Sequence, residues 1–456
     1  MGNWTDPIVA IATAPGKGGV GIVRFSFPGR AEFERFCAAF CHFQPVSRSA
    51  YFHRLHNIDG QLIDEGLILA FHAPGSYTGE HVLEFQGHGG PAVLQAVLQT
   101  AFEVARSIQV PLRQAEAGEF TQRAFLNDKL DLAQAEAVAD LIDAGSVQAA
   151  KAAANSLSGA FSKEVNALAD RITHLRLLLE ATLDFPEEEI DFLEKANAKG
   201  QLDGILSLQR ALLIKAQEGV RFNDGLQLVL VGAPNVGKSS LLNALAGEEI
   251  AIVTEVAGTT RDRIKQQISV RGVPIVVVDT AGLRETDDHV EKIGIERTRQ
   301  SIQEADLLLH LVDATDANSL TNLDIEREFS SSLPVLRVLN KVDLVDSIES
   351  PRADDVLISA KTGLGLDNLK DRILDTAGLN HSFEHSFTAR QRHVDALHVC
   401  QAHLELAAEY AKQDDRILDL FAEELRLAHG ALGEITGRML PDDLLGLIFS
   451  RFCIGK

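Results

Sequence analysis

The residues best suited to chemistry form a phosphate-binding loop. The segment GAPNVGKSS (232–240) follows the apolar run LQLVLV and precedes the helix-prone run LLNAL, so it matches G-x-x-x-x-G-K-[ST] in the strand–loop–helix setting that this motif requires. Gly232 and Gly237 let backbone N–H groups wrap phosphate oxygens, and the N-terminus of the following helix favours the same anion. Lys238 is expected to reach the β- and γ-phosphates, and Ser239 is expected to hold Mg²⁺. The loop alone leaves the choice among nucleoside triphosphatases open.

Three further motifs narrow the nucleotide to GTP. DTAG (279–282) follows a strand-like run, so that Asp279 can bind the water shell of magnesium. NKVD (340–343) ends another such run, and the Asp343 carboxylate suits the two donors on the N1/N2 edge of guanine. SAK (359–361) follows the last run and can supply a backbone contact to guanine O6. Four motifs in this order, each at a strand end, indicate a GTPase.

A candidate first switch lies between the phosphate-binding loop and DTAG. It is TEVAGTTRD (254–262), in which Thr260 would complete the magnesium shell once the γ-phosphate is present. In the loop itself, the Asn235 side chain either ligates a monovalent cation in place of an arginine finger or caps the loop. The predicted GTP-binding residues are Asn235, Val236, Gly237, Lys238, Ser239, Ser240, Thr254, Glu255, Val256, Ala257, Gly258, Thr259, Thr260, Asp279, Thr280, Ala281, Gly282, Asn340, Lys341, Asp343, Ser359, Ala360 and Lys361.

The residue after DTAG is informative because it cannot do the usual chemistry. Ras-like proteins place a water-orienting Gln there, whereas this chain has Leu283. A Leu side chain cannot orient water, so another group must do so. The acidic candidates just downstream are Glu285, Asp287, Asp288 and Glu291. Any one of them taken singly is better explained as an ordinary solvent-exposed charge, so the motif alone leaves the general base unassigned.

Composition limits the class of protein. The 456 residues carry 43 basic and 65 acidic side chains, a formal net charge of −22, which disfavours unaided binding to nucleic acid. The four cysteines have no CxxC spacing, as expected in a reducing cytosol, and they are Cys37, Cys41, Cys400 and Cys453. No apolar run reaches the roughly 18 residues of a membrane span. We therefore expect a cytoplasmic protein without a membrane partner.

The chain changes texture three times, which predicts a multidomain α+β and α/β protein. Short β-prone runs fill residues 1–121, and Ala- and Leu-rich helical sequence follows in 122–219 and returns in 379–456. Between the helical parts, residues 220–378 alternate apolar runs with helical sequence, as in a parallel sheet covered on both faces. We expect an α+β domain, a helical bundle domain and, inserted into the bundle, a Ras-like P-loop GTPase domain.

At the level of whole segments, the sequence resembles the MnmE (TrmE) family of tRNA-uridine-modification GTPases. GAPNVGKSSLLNAL, AIVTEVAGTTRD, DTAGLRETDDHVEKIGIER and the ending DDLLGLIFSRFCIGK carry the resemblance in the GTPase part and the tail. GKGGVGIVR, SYTGEHVLEFQGHGG and GEFTQRAFLNDKLDLAQAEA carry it in the N-terminal and early helical parts. The resemblance covers essentially the whole chain.

The resemblance implies ligands and roles for particular residues. An N-terminal domain over 1–121 would bind 5-formyl- or 5,10-methylene-tetrahydrofolate and dimerise. Its folate-binding positions fall on Arg24, Glu84, Lys129 and Lys456. Mg²⁺ falls on Ser239 and Thr260, and K⁺ falls on Asn235, Thr254, Val256 and Thr259. The catalytic positions fall on Glu291, as the general base, and Lys238. The C-terminal tail would bring Cys453 close to the folate, either as a chemical group or as a packing residue.

The resemblance also implies a function. A homodimer would act with MnmG, an FAD-dependent partner, in a heterotetramer or larger complex. Using GTP and a one-carbon folate, the complex would add an aminomethyl or carboxymethylaminomethyl group at C5 of the tRNA wobble uridine. A potassium-dependent ribosome-assembly GTPase is the alternative, since it would share the G-domain motifs but not the first 120 residues. A signalling scaffold using the long helices is a third possibility, and it predicts no folate affinity.

Overall fold

The computed structural model describes residues 5–184, 197–246, 265–279, 305–317, 333–345, 352–378, 386–412, 418–438, 442–450 and 452–455. The chain divides into two compact units. The first comprises Met1–Ala139 together with Thr436–Lys456, and the second comprises Asp140–Ile435.

The first unit is built on a sheet with one face buried under helices. The sheet order is β3-β4-β5-β2-β1-β6, antiparallel except for the β1–β6 pair. The strands are β1 (Ile8–Ile11), β2 (Gly18–Phe27), β3 (Ala50–His56), β4 (Leu62–Phe71), β5 (His81–Gly89) and β6 (Arg113–Gln114). Because side chains alternate along a strand, Phe25, Phe27 and Phe85 point into the core while Arg24 and Glu84 occupy the other face.

The helices of this unit carry complementary apolar faces. They are α1 (Arg30–Phe40), α2 (Pro91–Ser107), α3 (Glu119–Leu126), α4 (Leu132–Asp143), whose last residues belong to the second unit, and, close to the C-terminus, α12 (Asp442–Phe449). Phe33, Phe36 and Leu94 fill the core beneath the sheet. A separate cluster joins α4 to the C-terminal segment through Leu132 and Phe449. The C-terminal segment is therefore packed into the same unit as the sheet.

The second unit contains the helical part of the chain. Its described helices outside the GTPase sheet are α5 (Val147–Leu157), α6 (Ala160–Asp184), α7 (Ala198–Asp224), α10 (Gln391–Tyr410) and α11 (Leu418–Thr436), which ends at the unit boundary. The apolar positions of α6 from Phe161 to Leu179 that recur at helical spacing are buried, and so are those of α11 from Phe421 to Ile435. The chain turns at Gly159, which has φ +86°, so α5 ends at Leu157 and α6 begins at Ala160.

The remaining elements form a GTPase-type sheet of order β12-β11-β10-β7-β9-β8, parallel except for the β8–β9 hairpin. Its strands are β7 (Leu226–Val231), β8 (Lys265–Val270), β9 (Val273–Asp279), β10 (Leu307–Asp313), β11 (Val335–Asn340) and β12 (Val356–Leu357). The helices α8 (Lys238–Ala246) and α9 (Leu366–Thr376) accompany them. Carboxyl ends of parallel strands share one edge, and at this edge β7 ends at Val231, β9 at Asp279 and β11 at Asn340.

The predicted fold class is confirmed. Along the chain, an α+β part with a mostly antiparallel sheet comes first, and an α/β part with a mostly parallel sheet follows between two helical parts. The last run, DVLISA, forms a strand of only two residues, Val356–Leu357. The predicted division at 121, 219 and 378 stays a prediction, and α7 continues through the second of these positions to Asp224. Among the described helices, none is both long enough and apolar enough to cross a membrane.

Candidate functional site

The phosphate-binding loop follows β7 and adopts a backbone that only glycine accommodates at two points. Gly232 has φ +157°, and a Cβ there would collide with the carbonyl oxygen of Leu311 on β10. Gly237 has φ +99°, and a Cβ there would lie 2.5 Å from Nδ2 of Asn340. A side chain at either point would push the loop away from β10 or from Asn340, so both positions require glycine.

Lys238 lies across this loop. Its Nζ donates to the carbonyl oxygens of Gly232, at 2.7 Å, and of Ala233, at 3.0 Å. The residue is only 8% exposed, so its ammonium is held over the loop by backbone carbonyl oxygens. Anionic phosphate oxygens bind an ammonium more strongly than neutral carbonyl oxygens do. A nucleotide can therefore take over these hydrogen bonds at little cost.

Asn340, the last residue of β11, ties two nucleotide loops together. Its Nδ2 donates to the carbonyl of Val236 in the phosphate-binding loop, at 2.9 Å. Its Oδ1 accepts from the backbone N–H of Ala360 in the SAK motif, also at 2.9 Å. The side chain is buried, so both bonds form away from water. The N–H of Ala360 is thus already used, so a backbone contact from this motif to guanine O6 requires another N–H, or requires Ala360 to give up its bond to Asn340.

The other guanine-side residues surround Asn340. Lys341 has φ +66° and its Nζ lies 2.6 Å from Oδ2 of Asp313 at the end of β10. Burial works against the charged form of Asp313, yet the hydrogen bonds from Lys341 and Thr315 leave its pKa below the ordinary value. Asp343 is exposed in a short 3₁₀ turn, while Ser359 is fully buried. An exposed carboxylate can accept hydrogen bonds from donors such as N1–H and N2–H of guanine.

For several other predicted GTP-binding residues, the structure gives the position in the fold and the exposure. Asp279 ends β9, opposite Leu230 of β7 in the register. At the loop and the start of α8, Val236 is buried, whereas Asn235, Ser239, Ser240 and, in the SAK motif, Lys361 are exposed. The following predicted site residues lie outside the described residues: Thr254, Glu255, Val256, Ala257, Gly258, Thr259, Thr260, Thr280, Ala281, Gly282, Glu291 and Lys456.

Two of the predicted folate residues meet on the N-terminal sheet. Arg24 on β2 and Glu84 on β5 are cross-strand partners, and Nε of Arg24 donates to Oε1 of Glu84 at 2.8 Å. Gln86, two residues further along β5, donates to the other carboxylate oxygen at 2.9 Å. The guanidinium carbon of Arg24 lies 5.8 Å from the Tyr77 ring centroid and 6.0 Å from that of Phe120. A polar pair with an aromatic wall can bind a flat, polar heterocycle.

The same face continues into a buried ion network that the sequence motifs did not reveal. Arg123, 2% exposed, donates to Glu80 at 2.9 Å and to Glu119 at 2.8 Å. Arg113 makes a second, two-pronged contact with Glu119 at 2.7 and 2.8 Å. Ser26, two residues after Arg24, donates to Glu80 at 2.7 Å. Glu119 and Arg123 stand four residues apart on α3, so helix periodicity could have signalled that pair. Glu80 is 43 positions from Arg123, and no helix spacing could signal that contact.

Lys129 and the C-terminal tail belong to the same unit as the Arg24–Glu84 pair. Nζ of Lys129 donates to the carbonyl of Pro74 at 3.0 Å. In the tail, the carbonyl of Cys453 accepts from the N–H of Gly118 at 3.3 Å, and its side chain is exposed. Gly455 lies so close to β1 that a Cβ would collide with the carbonyl of Ile11. The tail thus lies against β1, and β1 pairs with β2, the strand that carries Arg24.

Within the described part of the chain, no group of three or more His, Cys, Asp or Glu side chains is arranged to hold a metal ion. The predicted Mg²⁺ and K⁺ ligands depend partly on the first switch, which lies outside the described residues.

Comparison with known proteins covers nearly the whole chain. A family model for the GTP-binding protein TrmE N-terminus matches residues 7–129, and a model for the MnmE helical domain matches residues 132–453. The tRNA modification GTPase MnmE of Bordetella bronchiseptica is 56% identical over 99% of both chains. That of Paraburkholderia xenovorans is 53% identical, again over 99% of both. The G domain of the T. maritima FeoB iron transporter is 27% identical over 33% of this chain and 98% of its own, and its TM-score of 0.26 carries no structural argument.

Proposed function

Because the chain belongs to the MnmE family of tRNA modification GTPases, we propose that it hydrolyses GTP as part of a complex that modifies tRNA. The observation that carries this proposal is the 56% identity to a tRNA modification GTPase over 99% of both chains. The phosphate-binding loop, with Lys238 held over it and Asn340 behind it, supports the nucleotide part of the proposal.

Residues of the phosphate-binding loop and the guanine motif would bind GTP and orient its phosphates and its base. The backbone N–H groups between Gly232 and Gly237 cradle the phosphates, and Lys238 moves from carbonyl oxygens to the β- and γ-phosphates. Asp343 accepts from the guanine N1/N2 edge. Bound Mg²⁺ and K⁺ would supply positive charge to the transferring phosphate. Ser239 and Thr260 would hold Mg²⁺, whereas Asn235, Thr254, Val256 and Thr259 would hold K⁺. Glu291 would be the general base.

For folate, the Arg24–Glu84 pair is the centre of the proposed site. The Glu84 side chain is 10% exposed and that of Arg24 23%, so both can be reached from solvent. A carboxylate can pair with the amino-pyrimidine edge of a pterin, and Gln86 fixes its orientation. Lys129 and the terminal Lys456 would supply positive charge for the folate carboxylates, and the tail would bring Cys453 alongside.

The proposed partners are a second copy of this chain, the FAD-dependent MnmG, and tRNA, in the cytoplasm. Phe52 on β3 and Leu67 on β4 are cross-strand neighbours, 67% and 40% exposed, on the open face of the N-terminal sheet. Exposed apolar neighbours of this kind favour self-association through the N-terminal domain. The net charge of −22 favours a partner that supplies most of the contact with tRNA. With MnmG, the complex would add the aminomethyl or carboxymethylaminomethyl group at C5 of the wobble uridine.

A ribosome-assembly GTPase without one-carbon chemistry is the competing function. It would share the phosphate-binding loop and the guanine motifs, so the GTPase sheet does not separate the two. The family match over residues 7–129 and the paired Arg24 and Glu84 both favour the tRNA-modifying function.

The deciding experiment is reconstitution of the full chain with its FAD-dependent partner, tRNA, GTP, K⁺ and a one-carbon folate. Nucleoside mass spectrometry measures the modified uridine, and phosphate release in KCl and in NaCl measures GTP hydrolysis. Lys238→Ala is expected to abolish both. Glu84→Gln is expected to keep hydrolysis, because Glu84 lies in the other unit, and to lose the modification and the binding of 5-formyl-tetrahydrofolate. Potassium-stimulated hydrolysis with no modified uridine from the parent chain would favour the ribosome-assembly function. Full modification by Glu84→Gln would refute the folate site alone.

A further inference from the structure

The β8–β9 hairpin connects the candidate first switch to the DTAG motif, and these two segments are called the switches below. The candidate first switch (254–262) precedes β8, and the DTAG motif begins at the last residue of β9. The two strands pair in antiparallel register from Lys265↔Val278 to Val270↔Val273. The turn at Arg271–Gly272 is therefore the far end of a ribbon whose near end continues directly into both switches.

This turn contacts the start of α5. The Ser146 hydroxyl, at the helix N-cap, donates to the carbonyl oxygen of Gly272. The Ser146 hydroxyl oxygen in turn accepts from the N–H of Ala149 at 3.1 Å, which is the usual N-cap bond. Gly272 has φ +83°, and a Cβ there would collide with Cγ of Gln148. The turn and the helix thus meet with a hydrogen bond and no free space between them.

The other side of the turn is held by α9. Arg271, with φ +53°, lies 3.1 Å from Oδ1 of Asp371 and 3.2 Å from Oδ1 of Asp367. These ion pairs are partly exposed and contribute little energy, but they limit sideways movement of the turn.

Helix α5 is in turn attached to the chain that leads into α10. Nδ2 of Asn155 donates to the carbonyl of Ser386 at 2.9 Å, and the Ser156 hydroxyl donates to the carbonyl of Thr388 at 3.0 Å. Ala152 lies in the same apolar core as the β9 strand. A displacement of α5 is therefore transmitted to the second helical part of the chain.

We propose that the Ser146–Gly272 contact is the link through which the state of the nucleotide reaches the helices. The inference rests on the proposed GTPase activity. Close-packed contacts do not absorb small displacements, so a shift of β8 or β9 at the switches moves the turn and, with it, the start of α5. Ser146 and Gly272 act in this role as positioning residues and touch no substrate.

Two substitutions at one position separate the link from the helix cap. Ser146→Asp keeps an N-cap acceptor for Ala149 but has no hydrogen to donate to Gly272, and its carboxylate repels that carbonyl. Ser146→Thr keeps both the cap and the donor and is the matched control. Gln148→Ala removes the packing contact without touching the cap. It serves as the second variant if Ser146→Asp fails to fold.

The measurement is hydrogen–deuterium exchange of the full chain, bound to GDP or to a non-hydrolysable GTP analogue, with Mg²⁺ and K⁺. In the parent and Ser146→Thr, exchange of the α5 amides is expected to differ by about fivefold between the two states, the lower end of typical allosteric couplings. In Ser146→Asp that difference is expected to disappear while GTP hydrolysis persists. The inference is overturned if exchange of the α5 amides is the same in both nucleotide states of the parent. It is also overturned if the difference in Ser146→Asp equals that in the parent. A parent chain that hydrolyses no GTP removes the proposed function as well, so the two failures are distinct.

Discussion

Replacing Asn340 by Ala tests whether the phosphate-binding loop and the guanine loop act as one preassembled site. The substitution removes two buried hydrogen bonds, from Nδ2 to the carbonyl of Val236 and from the N–H of Ala360 to Oδ1, each 2.9 Å long. At about 1 kcal/mol net for each bond, with more for any buried backbone group left unpaired, the two loops lose about 2 to 4 kcal/mol.

That loss is expected to appear in nucleotide affinity. Without Asn340, GDP must itself bring the two loops together, and the free energy needed is subtracted from binding. The lower figure of about 2 kcal/mol corresponds to roughly 30-fold weaker GDP binding. Equilibrium titration with a fluorescent GDP analogue measures this directly, and it does not require two-state unfolding of a multidomain chain.

A matched control uses the same substitution elsewhere in the second unit. The Asn223 amide bonds only the neighbouring Asp224 in an exposed contact, 2.9 Å long, so Asn223→Ala is expected to leave GDP affinity unchanged. If Asn340→Ala also binds GDP with parental affinity, the two loops do not depend on this side chain. The argument from the two buried bonds would then be refuted.

Asp343→Asn is expected to weaken GTP binding and to improve binding of XTP, measured by competition, because an amide can donate to the C2 oxygen of xanthine where the carboxylate cannot. Arg123→Met is expected to cost roughly 3–5 kcal/mol, seen as an earlier urea transition of the first unit, because Glu80 and Glu119 lose their buried partner. Arg30→Ala, at an exposed pair, is the control and should shift nothing. Burial opposes the charge of Glu119, but hydrogen bonds from the neighbouring arginines leave its pKa below 4.5, the ordinary value. Its stabilisation is therefore present above that pH and lost as pH falls through the lowered pKa, so Glu119→Gln should flatten the acid branch of a stability–pH curve; an unchanged branch would contradict this.

The nucleotide motifs could be placed from the sequence because their geometry is local. An apolar strand, a glycine-rich loop and a helix start follow one another within about fifteen residues, and parallel strands align their carboxyl ends wherever the sheet closes. Lys238, Asn340 and Asp343 could therefore be assigned to strand ends from the sequence alone. Side chains alternate along a strand, so β5 puts Glu84 and Gln86 on one face of the sheet.

The fold class, the GTP motifs and the family thus follow from the amino-acid sequence. Which side chains meet depends on the packing of the folded chain. It paired Arg24 with Glu84, brought Arg123 against the buried carboxylate of Glu80, and set Ser146 against Gly272, 126 positions along the chain. Contacts between distant residues depend on how the elements pack rather than on any local pattern, so no spacing rule in the sequence predicts them.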